Sequence, residues 1–261
     1  MVFLQPYLIL GGVVLGMMTI LWLVSLALKN SSIVDIFWGA GFVLFSWVAF
    51  FLTPEDFLPR KLILTTLVTL WGLRLSIYIL LRNWKKPEDF RYQKWREQHG
   101  KNWWWYSYLQ VFLLQGGLMW IIATPLLAAM VSPHAPTHLV FGDYAAVILW
   151  LIGFFFESVG DWQLKRFKAN PANKGKVMDR GVWKYTRHPN YFGDAAQWWG
   201  FYLFAATAGA WWTIFSPILM TTLLVRVSGV KMLEKTLETR PGYKEYIERT
   251  SAFIPWFQKK A

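Results

Sequence analysis

The chain has 261 residues, of which 55% are hydrophobic, 19% aromatic and only 16% charged, and it contains no cysteine. That composition excludes an ordinary soluble domain, a disulfide framework, an iron–sulfur protein and thiolate catalysis. The apolar runs approach the roughly 20 residues that span a bilayer, so the formal charge of +12 records membrane topology and a phosphorylated ligand rather than nucleic acid.

In chain order, the first apolar run covers about Pro6–Leu28. It lacks the basic start and small-residue cleavage site of a signal peptide and reads as a retained helix. A polar break, Lys29-Asn30-Ser31-Ser32, offers N-cap residues to a second helix over Ile33–Leu52, with Asp35 in its first turn. Asp35 at that place is either a carboxylate complementing the helix dipole or a functional group. Thr53–Lys61 is a turn with two prolines, and a third helix over Leu62–Leu81 carries Arg74, with Tyr78 and Arg82 one and two turns further on. Arg74 lies too deep in an apolar helix to reach water, so it faces a partner or a ligand.

Arg82–Lys101 reads as a long basic loop, and Ser107–Val131 as a fourth helix with Gln115 as its polar member. A fifth helix over Tyr144–Leu164 begins apolar and then sets Glu157, Asp161 and Lys165 at successive turns. Lys165–Pro189 is the second long basic loop, Asn190–Thr207 and Ala210–Ser228 are two closely turned spans, and Gly229–Ala261 is a charged amphipathic tail with Pro255-Trp256-Phe257 as an interface anchor. No repeat, low-complexity tract or soluble domain interrupts a single membrane domain over 1–261. The eighteen Trp fit that class, because Trp gathers at the headgroup layer and also lines cavities for flat apolar ligands.

The fold class is therefore all-α, a polytopic membrane protein with seven spans. One Lys lies in the first connection, seven Lys and Arg in the third, eight in the fifth and eight from Arg226 to the end, which together hold 24 of the 27 basic residues. With seven spans these segments share one side. The positive-inside rule makes that side cytoplasmic and puts the N-terminus outside. The placement is an integral multi-pass protein of the bacterial inner membrane, or of the endoplasmic reticulum in a eukaryote.

Standard sites are missing from the sequence. There is no dinucleotide glycine fingerprint after a strand, no Walker A run, no nucleophile elbow, and no metal spacing among His99, His134, His138 and His188. What the chain does hold is Asp179–Gly200, DRGVWKYTRHPNYFGDAAQWWG, which crowds Arg187, His188, Asn190, Tyr191 and Asp194 beside an apolar helix. Arg, Lys, Asn and Tyr around a membrane cavity suit an anionic cofactor or an anion-lined transporter.

The run Arg187-His188-Pro189-Asn190-Tyr191-Phe192-Gly193-Asp194 resembles the signature of the sterol C14-reductase and lamin-B-receptor family. The region from about Val147 to Phe257 resembles the C-terminal domain of steroid 5-alpha-reductases, most closely an uncharacterised bacterial branch of that superfamily. Trp198, Gly200, Ser228-Gly229, Leu233-Glu234, Tyr243, Tyr246 and Pro255 continue the likeness. The resemblance implies a seven-helix membrane reductase that holds NADPH on the cytoplasmic side and reduces a carbon–carbon double bond, enone-like, in a planar lipid or steroid-like substrate drawn from the bilayer. It assigns the cofactor to Asn190, Tyr191 and Asp194 with Arg187, His188 and Glu234, to Glu157, Asp161 and Lys168, and to Arg74, Tyr78 and Arg91. A dry site that fixes a hydride donor against its acceptor agrees with that assignment.

The superfamily grips a steroid ketone with a Gln-Glu pair on the second helix and a Tyr on the third. The nearest positions here are Val34-Asp35 and Trp71, which leaves the acceptor open. Asp35 then stands as the acid that polarises a carbonyl, and Trp71 as a residue that stacks or donates one N–H. Two alternatives stay in play. S-adenosylmethionine-dependent methyltransferases of the isoprenylcysteine type share much of the signature, usually with adjacent glutamates where this chain has Leu233-Glu234. The third reading is a non-enzymatic lipid-binding or transport protein, since a fold does not fix a function. No metal site, and no nucleic-acid partner, is expected beside the membrane lipids and the lipophilic substrate.

Overall fold

The computed structural model describes residues 3–53, 58–227, 229–237 and 239–259. Every regular element among them is helical: α1 (Leu4–Leu28), α2 (Ile33–Leu52), α3 (Leu58–Asn83), α4 (Phe90–His99), α5 (Trp103–Ser107), α6 (Leu114–Ile122), α7 (Thr124–Val131), α8 (Phe141–Ala169), α9 (Pro189–Thr207), α10 (Phe215–Thr222), α11 (Val230–Leu237) and α12 (Tyr243–Arg249). Two π-helical turns, Tyr108–Leu113 and Leu223–Val227, interrupt the series. Five helical stretches among the described residues are long and apolar enough to cross a membrane: α1, α2, α3, the run Phe90–Val131, and α8. The chain is a multi-pass helical membrane protein. Trp211–Val227 is a shorter apolar helix, and α9 is diluted by Asn190, Asp194 and Gln197.

The chain divides into two compact units, Met1–Val140 with Phe204–Thr213, and Phe141–Leu203 with Ile214–Ala261. In the first, α2 and α3 pack backbone to backbone: a Cβ at Gly39 would strike the Gly72 carbonyl, and one at Gly72 would strike that of Gly39. Small residues at such a crossing let two apolar helices approach closely enough for dispersion and polar contacts to hold them in lipid. The Ser76 hydroxyl accepts from the Ala40 amide at 2.9 Å, and Trp47 Nε1 donates to Thr69 Oγ1 at 3.0 Å. On α1, Tyr7 stacks on Trp120 at 4.5 Å, and Trp120 Nε1 donates to the Tyr7 carbonyl at 2.9 Å. Lys61 is buried and donates to the carbonyls of Phe50 (3.0 Å) and Thr53 (2.9 Å), closing the C-terminal end of α2 where a helix leaves carbonyls without amide partners.

The element bounds follow the sequence pattern most closely at α2, and the structure departs from expectation around α2, α3 and α4. The turn expected over Thr53–Lys61 gives way to α3 from Leu58, and its residues 54–57, like Ser228, lie outside the described residues. Ser32 does not cap α2 with its side chain; its hydroxyl donates instead to Asn30 Oδ1 at 2.6 Å. The basic stretch Arg82–Lys101 contains α4, started by Asp89, whose carboxylate accepts from the Arg91 amide at 3.0 Å.

In the second unit α8 and α9 repeat the close crossing. A Cβ at Gly153 would meet the Gly193 carbonyl at 2.5 Å, and one at Gly193 would strike the Glu157 amide. Helix α8 continues a turn past the apolar run, where Arg166 lies over the Trp162 ring at 4.9 Å, covering the ring as the helix leaves apolar surroundings.

The Gly39–Gly72 contact leaves no room for a branched side chain. Gly72→Val is expected to remove about 1–3 kcal/mol through overpacking. The check is the thermal midpoint of the detergent-solubilised protein, which should fall by several degrees; an unchanged midpoint would refute the crossing.

Candidate functional site

The glycine contact between α8 and α9 brings two polar rows together. Helical spacing lines up Glu157 and Asp161 on α8, and Asn190, Asp194 and Gln197 on α9. Gln197 is fully buried; its Nε2 donates to Glu157 Oε2 at 2.7 Å and to the Gly193 carbonyl at 3.2 Å. Two turns nearer the start of α9, Asn190 Nδ2 donates to Asp161 Oδ1 at 3.2 Å. Glu157, Asp161 and Asp194 are all buried.

These pairings fix the direction of both carboxamides. Each amide nitrogen donates to a carboxyl oxygen, so each amide oxygen points the other way. Asn190 Oδ1 and Gln197 Oε1 are buried and accept no hydrogen bond among the described residues, and the Ser158 hydroxyl on α8 is in the same condition. Buried acceptors in an apolar setting are ordinarily satisfied. This row presents acceptors to something that brings donors.

The first half of the signature turns inward. Arg187 Nε donates to Glu234 Oε1 at 2.7 Å, while Nη1 reaches the carbonyls of Ile247 (3.1 Å) and Thr250 (2.6 Å). His188 Nε2 meets the same Glu234 oxygen at 3.2 Å, and its ring stacks with Tyr191 at 5.8 Å. The Arg187 fan ties the start of α9 to α11, to α12 and to the chain beyond it. Burial acts against the Glu234 charge, but the bonds from His188 and Arg187 outweigh it and hold the carboxyl down at about 2. Lys168, the last residue of this group, lies in the final turn of α8.

Asp35, Trp71, Arg74, Tyr78 and Arg91 belong to the first unit. Asp35 sits in the first turn of α2, and its carboxylate accepts from Tyr92 Oη at 2.7 Å and Arg91 Nη2 at 3.1 Å. Gln115 Nε2 donates to the same phenol oxygen at 3.1 Å. Arg91 also pairs with Asp89 at 2.9 Å. Trp71 is fully buried on α3, its ring 5.7 Å from Phe42. Arg74 and Tyr78 are one turn apart on α3, and Arg82 lies over the Tyr78 ring at 5.9 Å. Sequence reasoning did not reach Tyr92 or Gln197. Gln197 follows Asp194 by three residues on the same helical face, a usable signal; Tyr92 stands in a charged stretch with no periodicity to single it out. No group of three or more His, Cys, Asp or Glu among the described residues is arranged to hold a metal.

A family described as a protein of unknown function, DUF1295, matches residues 21–250. The chain belongs to the DUF1295 family. DUF1295 is part of the steroid 5-alpha-reductase-like superfamily, so the likeness to steroid 5-alpha-reductases holds at the superfamily level. An uncharacterized protein of the fission yeast Schizosaccharomyces pombe is 27% identical over 267 aligned residues, covering 90% of this chain and 76% of its own. No solved structure matches the DUF1295 chain.

Glu234 supplies a pH test. Its carboxyl is lowered from 4.5 to about 2 in the fold, so its stabilising bonds are fully present above 4.5 and are lost as the pH falls toward 2. Glu234→Gln should lower stability by about 1–3 kcal/mol at neutral pH. The gap between the melting points of the two proteins should narrow steadily from pH 5 to pH 3; a gap independent of pH would contradict the pairing.

Proposed function

We propose that this DUF1295 protein is a membrane reductase that uses NADPH to reduce an activated carbon–carbon double bond in a flat lipophilic substrate. The observation that carries the reading is the pair of buried, donor-seeking carboxamide oxygens, Asn190 Oδ1 and Gln197 Oε1, at the α8–α9 crossing. The amide group of a nicotinamide ring offers N–H donors of the kind those acceptors require. NADPH supplies a hydride when bound. The chain's residues bind and orient: Asp161 and Glu157 hold the two carboxamides in place, while Tyr191, stacked on His188, offers a ring edge and a phenol. Lys168 is a cation in the last turn of α8, suited to a cofactor phosphate. Membership of the steroid 5-alpha-reductase-like superfamily supports the same class of reaction.

Asp35 is the proposed acid toward the acceptor carbonyl, and Trp71 on α3 the residue that stacks on the substrate or donates one N–H. Tyr92 and Arg91 hold the Asp35 carboxyl from two directions, which fixes its orientation; as an acid it would act only from its protonated form, returning to the carboxylate that Arg91 pairs with. A second reading has its own support. The buried carboxylates Glu157, Asp161 and Asp194 suit the ammonium and sulfonium charges of S-adenosylmethionine, as in a membrane methyltransferase.

One set of titrations separates the two. Purified protein should bind NADPH and ignore S-adenosylmethionine, and Asn190→Ala should weaken NADPH about tenfold or more. Asp35→Asn should keep that affinity while slowing enone-dependent NADPH oxidation about 10²–10⁴-fold. Binding of S-adenosylmethionine alone would transfer the protein to the methyltransferases, and near-normal oxidation by Asp35→Asn would return that residue to a structural role.

Seven spans with the basic segments and the C-terminus in the cytoplasm complete the proposal. The chain has no cysteine, so single cysteines at Ser132 and Asn173 report sidedness directly. They should label from opposite sides of the membrane, and labelling from one side would exclude this topology.

A further inference from the structure

Beyond the α8–α9 crossing, the second unit contains a cavity of about 600 Å³ whose walls include Lys174, Lys176, Asp179, Glu245 and Arg249. One wall is a chain of tight turns after α8: the Lys174 amide donates to Pro171 O and the Lys176 amide to Asn173 O, both at 3.0 Å, with Gly175 at φ +81° between them. The other wall is α12. Arg249 Nη2 meets Asp179 Oδ2 at 2.5 Å and ties the walls together, whereas Arg249 Nε is buried with no acceptor among the described residues. Lys174 and Lys176 stand exposed at the rim. Three cations, Lys174, Lys176 and Arg249, and two acids, Asp179 and Glu245, line the cavity; with Asp179 paired to Arg249, the two exposed lysines outnumber Glu245 and the balance favours an anion.

The chain beyond α12 folds back onto this place. The Lys259 amide donates to the Arg249 carbonyl at 3.0 Å and Gln258 Nε2 to Thr250 Oγ1 at 3.1 Å, closing a loop on Arg249. Inside the loop, Thr186 Oγ1 donates to the Phe253 carbonyl at 2.8 Å, Trp256 N donates to Tyr185 O at 2.9 Å, and the Phe253 ring meets Phe192 at 6.1 Å. The tip is thus held rigidly while its side chains point outward: Ile254 is 66% exposed, Trp256 70% and Phe257 77%. An aliphatic and two aromatic groups presented together suit the boundary between headgroups and acyl chains, where Trp is favoured.

We infer that this loop and cavity form one phospholipid site, in which Ile254, Trp256 and Phe257 enter the bilayer interface and Lys174, Lys176 and Arg249 take the phosphate of an anionic headgroup. The occupant is a lipid of the surrounding membrane. Charge complementarity selects it at the base of the loop, and the fixed aromatic tip selects a bilayer over a soluble anion. The site is separate from the carboxamide row and does not depend on the reaction proposed there.

Native mass spectrometry of the delipidated full-length protein in detergent tests this, with phosphatidylglycerol, phosphatidylcholine and inorganic phosphate as probes. The unaltered chain should bind phosphatidylglycerol in preference to phosphatidylcholine. The exposed double variant Lys174→Glu/Lys176→Glu should lose that preference by about tenfold while binding NADPH as before. Trp256→Ser/Phe257→Ser should weaken both lipids together. Equal binding of the two lipids by the unaltered chain, or an unchanged preference in the lysine variant, overturns the proposal. So does displacement of the lipid by inorganic phosphate, which would mark a soluble-anion site, or loss of NADPH binding in the lysine variant with lipid binding intact, which would give the cavity to the cofactor.

Discussion

A peptide carbonyl pressed against a glycine is the contact on which the second unit turns. At the α8–α9 crossing the absence of side chains at Gly153 and Gly193 brings the two backbones close enough for short polar side chains to reach across. Gln197 then meets Glu157, and Asn190 meets Asp161, at hydrogen-bond distance. Larger residues at the crossing would separate the helices, leaving buried acids without amide partners at a cost that apolar surroundings make severe. The direction of each carboxamide, and so the direction of the two buried oxygens without a donor among the described residues, follows from that approach.

The eight-residue signature divides into two kinds of work. Arg187 and His188 converge on one oxygen of Glu234, and Arg187 also satisfies two carbonyls around the end of α12. Asn190 belongs to the row of buried polar groups at the α8–α9 crossing. Tyr191 links the two through its contact with His188, so a disturbance of the arginine clamp would reach the row through a ring. Residues that look equally chemical in a sequence therefore have unequal exposure to chemistry, and only the hydrogen-bond partners separate them.

Much of the fold was legible because apolar length leaves few choices in a bilayer. The bounds of α2 coincide with those expected from composition, and α1, α3 and α8 differ by the turn or so over which a helix runs on past its apolar stretch. Helix α4 was not legible: its sequence, FRYQKWREQH, has no apolar stripe, and its place depends on the Asp89 cap and on bonds from Arg91 and Tyr92 to Asp35, more than fifty positions away. The π turn before Gln115 was equally hidden, since a one-residue widening leaves no mark in hydropathy. At the site, the turn-by-turn spacing of Glu157 with Asp161 and of Asn190 with Asp194 was readable. Their cross-helix partners required the glycine crossing, which spacing within one helix does not reveal.

The buried pair Arg60 and Lys61 gives the molecule an electrical asymmetry larger than its residue count suggests. Arg60 donates to the carbonyls of Pro136 and His138, and Lys61 to those at the end of α2. Both cations are spent as plugs for backbone oxygen. Under the proposed seven-span topology these two residues, in the first turn of α3, are the basic residues nearest the outer side, which would then offer almost no accessible positive charge among the described residues. On that topology the cationic surface would belong to one leaflet, and acidic lipids would gather there as a collar even before any individual headgroup is bound.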